Sequence, residues 1–286
     1  MPDHVTIREV GPRDGLQNEA EIVSINDKVR LIDLLSSCGL SYIEAASFVS
    51  PKWVPRMADG HDVLARIARR KGVVYAALTP NLRGYEEALQ ARAGEVAVFA
   101  SASESFSAKN INCTIAESLA RYEAICDGAR RDGMPVRGYV SCAVACPYEG
   151  PVAPDAVLRV ATSLLDMGCR EISLGDTIGV ATADDTARLL DAVLRDIAAD
   201  KIAGHFHDTQ GRAIDCIRTS LAHGLRVFDA SVGGAGGCPF APGAKGNVAT
   251  GQVVNMLHAQ GYATGIDRRA LDEATAFMLH LLGRQE

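Results

Sequence analysis

The chain has 286 residues, of which 48% are hydrophobic and 22% charged, and its formal net charge is -6. These values are typical of a folded globular protein and exclude a disordered chain or a coiled coil. The sequence has no basic run, no apolar stretch long enough for a membrane helix and no apolar leader, so we expect no nucleic-acid or membrane partner and a cytoplasmic protein.

Strand and helix patterns alternate along the chain. Short runs rich in β-branched residues predict eight strands, at 5–10, 42–48, 73–78, 96–100, 136–142, 171–174, 202–206 and 227–231. Helical periodicity predicts helices near 26–38, 58–70, 81–92, 115–132, 154–167, 183–199 and 211–223, with two more near 250–260 and 267–282. The expected helix N-caps are Asn26, Thr114 and Asp267.

This alternation requires a parallel sheet, because each crossover returns a helix over the sheet face. Eight strand and helix units predict an α/β fold, a (β/α)8 TIM barrel with two additional C-terminal helices. The turn after the first strand is not the G-x-G-x-x-G of a dinucleotide-binding sheet. We expect one catalytic domain over residues 1–286, with the barrel at about 4–250 and a helical extension at about 251–286.

Chemistry in such barrels lies at the C-terminal ends of the strands. The strand ends place there a set of polar side chains rich in carboxylates, namely Glu9, Arg13, Asp14, Glu44, Ser47, Ser103, Glu104, Cys142, Asp176, His205, His207 and Asp229. A scaffold without an active site would have little reason to collect them.

His205 and His207 lie two residues apart on one strand, so both rings point to the same side and Phe206 points to the other. The pair predicts a metal site, with further oxygen ligands from Asp14 and Asn247. Such a mixed nitrogen and oxygen shell suits a divalent cation, Mg²⁺ or Mn²⁺. The alternative is two structural histidines that are hydrogen-bonded within a polar barrel end.

The segment after the eighth strand, residues 231–246, is rich in glycine and carries Cys238. A mobile loop over the barrel mouth is one interpretation, and a phosphate cradle or an ordinary turn are the alternatives. The other cysteines have no paired spacing and are expected to be reduced and buried.

Eight motifs stand in order along the chain. They are Val10-Gly-Pro-Arg-Asp-Gly-Leu-Gln-Asn-Glu19, Ser47-Phe-Val-Ser-Pro-Lys-Trp-Val-Pro55, Lys109-Asn-Ile-Asn-Cys113, Arg137-Gly-Tyr-Val-Ser-Cys142, Cys146-Pro-Tyr-Glu-Gly150, Ser173-Leu-Gly-Asp-Thr-Ile-Gly179, His205-Phe-His-Asp-Thr209 and the glycine-rich segment around Cys238. Together, over about residues 4–266, they resemble the 3-hydroxy-3-methylglutaryl-CoA lyase family of metal-dependent barrels.

The resemblance implies a role for each matching position. The divalent cation would be bound by Asp14, His205, His207 and Asn247. Arg13 would contact the substrate, and Cys238 would be catalytic. The other positions that match the family's site are Glu9, Gln17, Glu44, Ser47, Asn110 and Asp176. Glu9, Glu44 and Asp176, together with the metal ligand His205, are further catalytic candidates, and Gln17, Ser47 and Asn110 are expected to bind substrate. The chain departs from the family pattern at Ala20 and Gly251.

The implied reaction is cleavage of 3-hydroxy-3-methylglutaryl-CoA to acetyl-CoA and acetoacetate, within leucine catabolism and ketone-body formation. Its base would be Asp14, His205 or Asp176. The resemblance also implies an acyl-CoA partner and a homodimer. The alternatives are the same chemistry on another 3-hydroxyacyl-CoA, a Claisen condensation, or a barrel that binds a ligand without catalysis.

Overall fold

Eight parallel strands close into a barrel in the computed structural model, which describes residues 3–236 and 246–284. The strands are β1 (Thr6–Glu9), β2 (Tyr42–Ser47), β3 (Val74–Leu78), β4 (Glu95–Ser101), β5 (Val136–Ser141), β6 (Glu171–Asp176), β7 (Ile202–Phe206) and β8 (Val227–Ala230). Each strand pairs with its neighbours in sequence, and β1 pairs with both β2 and β8. The predicted fold class is confirmed, because every predicted strand is present and the sheet is closed.

Ten α-helices occur in the described part of the chain. They are α1 (Ile25–Ser37), α2 (Gly60–Arg66), α3 (Leu82–Gln90), α4 (Glu104–Ile111), α5 (Ile115–Asp132), α6 (Pro154–Met167), α7 (Ala183–Val193), α8 (Ala213–Ala222), α9 (Thr250–Ala259) and α10 (Arg268–Leu281). The sequence did not predict α4, whose first turn is capped by the Ser103 hydroxyl. It also placed the N-cap of α1 at Asn26, which is wrong, because Ser24 accepts the capping bond from the Asp27 N–H.

The two C-terminal helices occupy different positions. Helix α9 follows β8 and completes the eighth strand and helix unit, while α10 packs against α1. The Arg30 guanidinium lies 4.4 Å from the centre of the Phe277 ring, and the Asp267 N–H donates to the Cys38 carbonyl at 2.7 Å. These contacts attach the extension to the barrel, and we propose on that basis that the chain forms one domain.

The two faces of the barrel wall bury different side chains. Along β4, Val96 and Val98 belong to the large apolar cluster that includes the surrounding helices, whereas Ala97 belongs to a small separate cluster inside the barrel. The rest of the interior is largely polar, with Arg137 and Glu44 fully buried. The chemistry is therefore concentrated on the inner face.

Two further expectations concern the state of the cysteines and the presence of membrane-spanning helices. The seven cysteines within the described residues are free and buried, as expected. No helix in ranges 3–236 and 246–284 combines the length and the apolar composition that a membrane span requires.

Candidate metal centre

His205 of β7 and His207, directly after that strand, face the barrel mouth together, as their spacing predicts. The His205 and His207 ring centres are 5.4 Å apart. Between them, Phe206 points outward and lines a small cavity together with Leu189 and Leu190 of α7. The alternation of the strand thus brings two imidazoles to one place and packs the intervening ring against the helical layer.

A π-helical turn over Gly11–Gly15 presents the next two site residues. The Val10 carbonyl accepts the Asp14 N–H at 2.7 Å, and the turn directs Arg13 and Asp14 toward the histidines. A Cβ atom at Gly11 would lie 2.7 Å from Glu9 Oε1, so only glycine fits there without a shift. The sequence did not predict this turn, a type of irregularity that is frequent at functional sites.

Asp14, His205 and His207 form a cluster that we call the metal triad. One potential ligand atom from each lies within 4.8 Å of the others. The Nδ1 atom of His207 is buried and has no hydrogen-bond partner among the described residues. A carboxylate, two imidazoles and an unused buried nitrogen are what a divalent cation requires, so these residues fit one.

The charges of the triad also suit a cation. Burial by itself would raise the pKa of Asp14, but Arg13 and the two histidines outweigh it and lower that pKa to about 2. Burial, together with neighbouring His205, lowers the pKa of His207 to about 4. At neutral pH the carboxylate is therefore ionised and His207 is neutral, which are the forms that bind metals.

Asn247 lies beside the triad, on the segment that leads into α9. It pairs with His207 through a backbone bridge. Its Nδ2 atom donates to Asp14 Oδ2 at 2.8 Å and to the Ala235 carbonyl at 3.4 Å. The fourth proposed ligand is thus adjacent to the triad, with its amide nitrogen facing Asp14.

Arg13 is held between two carboxylates. Its Nε and Nη2 atoms lie 2.7 and 2.6 Å from Glu44 Oε2, and Nη1 lies 2.6 Å from Asp14 Oδ1. The hydroxyl of Tyr139 also donates to Glu44 Oε2, at 3.2 Å, while Glu44 Oε1 is buried without a partner among the described residues. These contacts use three of the five guanidinium N–H donors and fix the plane of the group.

Glu9, the last residue of β1, lies outside the metal triad. Its Oε1 accepts the N–H groups of Gly11 and Val232 at 2.8 and 2.9 Å, and Oε2 accepts the Thr250 hydroxyl at 2.7 Å. Complete burial raises its pKa to about 7. These contacts hold β1 against the segment after β8 and against the start of α9, so Glu9 fixes the relative positions of these elements.

The remaining candidates lie outside the metal triad. Asp176 ends β6, is nearly buried, and accepts the N–H groups of Val180 and Ala181 at 3.3 and 2.9 Å; burial raises its pKa. The others are Gln17, whose Oε1 is buried without a partner among the described residues, Ser47, which is buried, Asn110, which is exposed on α4, and Cys238, which lies outside the described residues.

Arg137 is the main functional side chain that sequence reasoning did not assign. It is completely buried inside the barrel and contacts Asp229, the hydrogen-bond partner of His205. The available signal was its position in β5, where Arg137 and Tyr139 alternate with apolar residues and therefore share the inner face. Asp229 was recognised as a strand-end residue but received no role.

Comparisons with known proteins agree on one family. Residues 4–278 match the HMGL-like family. A structure described as the HMG-CoA lyase from Brucella melitensis is 58% identical, with a TM-score of 0.97, over 98% of this chain and 99% of that one. A Pseudomonas aeruginosa protein, named 3-hydroxy-3-isohexenylglutaryl-CoA/hydroxymethylglutaryl-CoA lyase, is 52% identical over 99% of this chain and 95% of its own length.

A third similar structure contains ligands. It is described as an HMG-CoA lyase from Acinetobacter baumannii in complex with coenzyme A and 3-methylmalate. It is 38% identical, with a TM-score of 0.94, over 99% of this chain and 92% of that one.

The expected cytoplasmic location is overturned by the same comparisons. Relatives from cow and rat, 52% and 51% identical over the whole chain, are named mitochondrial, while a zebrafish relative at 54% is named cytoplasmic. Similarity to this family therefore does not assign a compartment.

Proposed function

Because the chain belongs to the HMGL-like family, we propose that it is a divalent-metal-dependent lyase that cleaves 3-hydroxy-3-methylglutaryl-CoA to acetyl-CoA and acetoacetate. The observation that carries this proposal is the metal triad beside Arg13 at the barrel mouth. The substrate follows from the names of relatives that align over nearly the whole chain.

The triad, together with Asn247, would hold the cation, Mg²⁺ or Mn²⁺. When bound, the cation would lower the pKa of the substrate hydroxyl and fix its orientation. Neutral His207 and ionised Asp14 need no proton removed before they bind it.

Arg13 would stabilise the negative charge that develops on the thioester oxygen as the enolate forms. Its guanidinium stays charged, and two of its N–H donors remain beyond those directed at Glu44 and Asp14. Glu44 would act by holding that guanidinium in place. A donor fixed before the reaction stabilises developing charge without reorganisation during it.

The hydroxyl proton must go to a base, and the sequence left three candidates. Asp14 and His205 belong to the metal triad, which leaves Asp176 as the candidate outside it. Burial raises the pKa of Asp176, which makes its carboxylate a better proton acceptor. We therefore favour Asp176 as the base.

Cys238 would then protonate the acetyl-CoA enolate at C2. A thiol is a far stronger acid than a serine hydroxyl. We expect Cys238→Ser to lower turnover by roughly 10²–10⁴-fold. Its free energy of unfolding and its Mn²⁺ affinity should stay close to those of the wild type. Weaker Mn²⁺ binding would instead indicate a metal ligand, and near-normal turnover would exclude the proton-donor role.

A second substrate has a specific observation in its favour. The Pseudomonas aeruginosa relative is named for an isohexenyl as well as a methyl thioester. We propose that this chain acts on the same class, 3-hydroxy-3-substituted glutaryl-CoA thioesters.

The test is acetyl-CoA release from both thioesters with Mg²⁺ or Mn²⁺, and again after EDTA. We expect release that EDTA abolishes and Mn²⁺ restores. Activity that persists in EDTA would contradict the metal role, and no release from either thioester would contradict the lyase proposal.

We also propose that the protein is a homodimer and that it acts in leucine catabolism and ketone-body formation. Both proposals rest on the family resemblance. Sedimentation equilibrium of the full-length chain tests the first, and a mass of 30.3 kDa at every concentration would contradict it.

A further inference from the structure

His205 and Asp229 are paired residues on neighbouring strands, β7 and β8. His205 Nδ1 lies 3.0 Å from Asp229 Oδ2. Since an ionised carboxylate can only accept, Nδ1 carries a proton in this contact, and in the neutral ring the opposite nitrogen, Nε2, has its lone pair free. The contact therefore selects which atom of His205 can bind a cation.

The Asp229 carboxylate is itself fixed on all sides. Arg137 reaches it with two nitrogens, at 2.7 Å from Oδ1 and 3.1 Å from Oδ2. The Ser173 hydroxyl donates to Oδ2 at 2.7 Å. The side chains of Asp229 and Arg137 are completely buried, so the carboxylate has neither solvent nor space in which to turn.

Arg137 continues this arrangement toward the other end of the barrel. Its Nε donates to Glu171 Oε1 at 2.7 Å, and Arg8 binds the other oxygen of Glu171 at 3.1 Å. The guanidinium also lies 4.8 Å from the centre of the Tyr139 ring. Arg8, Glu171 and Arg137 therefore form a continuous network of ion pairs that ends at Asp229.

The two imidazoles of the triad differ in this respect. His205 is held through Nδ1, whereas His207 Nδ1 has no hydrogen-bond partner in the described ranges. A network of charges that only filled the barrel interior would not need to contact a histidine of the metal triad. This network does, through the contact between Asp229 and His205.

We propose that Asp229 is a positioning residue for the metal centre: held by Arg137 and Ser173, it fixes the proton on His205 Nδ1 and directs Nε2 toward the cation. The proposal rests on the metal centre of the proposed function. Hydrogen-bonded carboxylates behind metal-binding histidines set ring orientation and basicity, and their loss weakens metal binding about 10–100-fold.

The experiment measures Mn²⁺ affinity of the metal-free, full-length protein by titration calorimetry. We expect Asp229→Asn to weaken Mn²⁺ binding about 10–100-fold. The matched control is Glu171→Gln, which removes one negative charge from the same Arg137 network without touching His205. We expect it to stay within about threefold of the wild type, because the His205 contact is intact.

Equal losses in the two variants, or an Asp229→Asn affinity within about threefold of wild type, would overturn the proposal. If Asp229→Asn does not fold, Ser173→Ala decides the matter, since it removes one donor to Asp229 Oδ2. A measurable loss of Mn²⁺ affinity supports the proposal, and an unchanged affinity contradicts it. Wild-type protein that binds no Mn²⁺ would contradict the metal centre itself.

Discussion

The outer and inner faces of the barrel strands carry side chains that contribute differently to stability and to chemistry. On the outer face, side chains such as Val98 and Ile172 are completely buried against the helices. Each such burial stabilises the fold by about 1.5–3 kcal/mol, whatever chemistry the protein performs. On the inner face, buried charges such as Arg137 and Asp229 gain little net stability, because desolvation offsets their attraction. We infer that the inner face is organised for the reaction and the outer face for folding, so substitutions on the two faces should separate activity from stability.

The largest expected effect on activity belongs to the inner face. We expect His207→Ala or Asp14→Asn to lower turnover by at least about 10³-fold and to weaken Mn²⁺ binding at the same time, because one ion orients the substrate and stabilises charge. Steady-state kinetics and Mn²⁺ titration check both effects. A His207→Ala enzyme with near-normal turnover at subsaturating Mn²⁺ would remove His207 from the ligands.

The largest expected effect on stability belongs to the outer face. The Leu164 side chain lies against the strand β5 at Gly138, where an added Cβ would be 3.1 Å from its Cδ1. We expect Leu164→Ala to lower the free energy of unfolding by about 2–5 kcal/mol, since it leaves a cavity. Urea unfolding measures the loss, and turnover at low temperature should remain near that of the wild type. A large loss of turnover in protein that is still folded would break the separation between the faces.

Substitution of Arg13 by lysine separates the effect of side-chain geometry from the effect of charge. Lysine keeps the positive charge but loses the planar set of donors that Glu44 and Asp14 orient. We expect Arg13→Lys to slow turnover by about 10²-fold and to leave Mn²⁺ affinity nearly unchanged. Single-turnover kinetics with a Mn²⁺ titration checks this, and a fast Arg13→Lys enzyme would exclude the enolate role.

The last expected effect concerns Glu9 and is confined to part of the pH range. Its pKa is raised by burial to about 7 from 4.5, so the folded state favours the protonated form. Stability from this group is fully present below about pH 4.5 and is lost as the pH rises through 7. At 1.36 kcal/mol per pKa unit, the loss by pH 8 is about 3 kcal/mol.

Glu9→Gln should remove this dependence, because glutamine resembles the protonated acid and its oxygen can still accept from Gly11 and Val232. Urea unfolding of both proteins from pH 5 to pH 8 is the measurement. Parallel stability profiles would contradict the assignment.

Sequence periodicity predicted the parts of this molecule that repeat. The eight strands and the inward direction of His205 and His207 follow from alternation, which a sequence displays directly. The π-helical turn at Gly11–Gly15 could not be predicted in this way, because one turn of irregular backbone has no period. The contact between Arg137 and Asp229 was also missed, since it joins strands that are 92 residues apart in the chain. The site residues on single strands were thus accessible to sequence reasoning, and the contacts by which Arg137 and Asp229 hold His205 were not.

The close approach of Gly236 and Gly246 has a consequence for how this protein can be altered. The Gly236 N–H donates to Glu19 Oε1 at 2.7 Å on one side, and on the other Gly246 accepts the Asp208 N–H while the Val248 N–H donates to the Phe206 carbonyl. A Cβ on Gly246 would come within 1.6 Å of the Gly236 carbonyl oxygen, so no side chain fits at position 246 unless the backbone shifts. The backbone contacts of Gly246 and Val248, on either side of Asn247, position that residue. Exchange of Gly246 for a larger residue would therefore displace Asn247 from Asp14 without changing any of the proposed ligands.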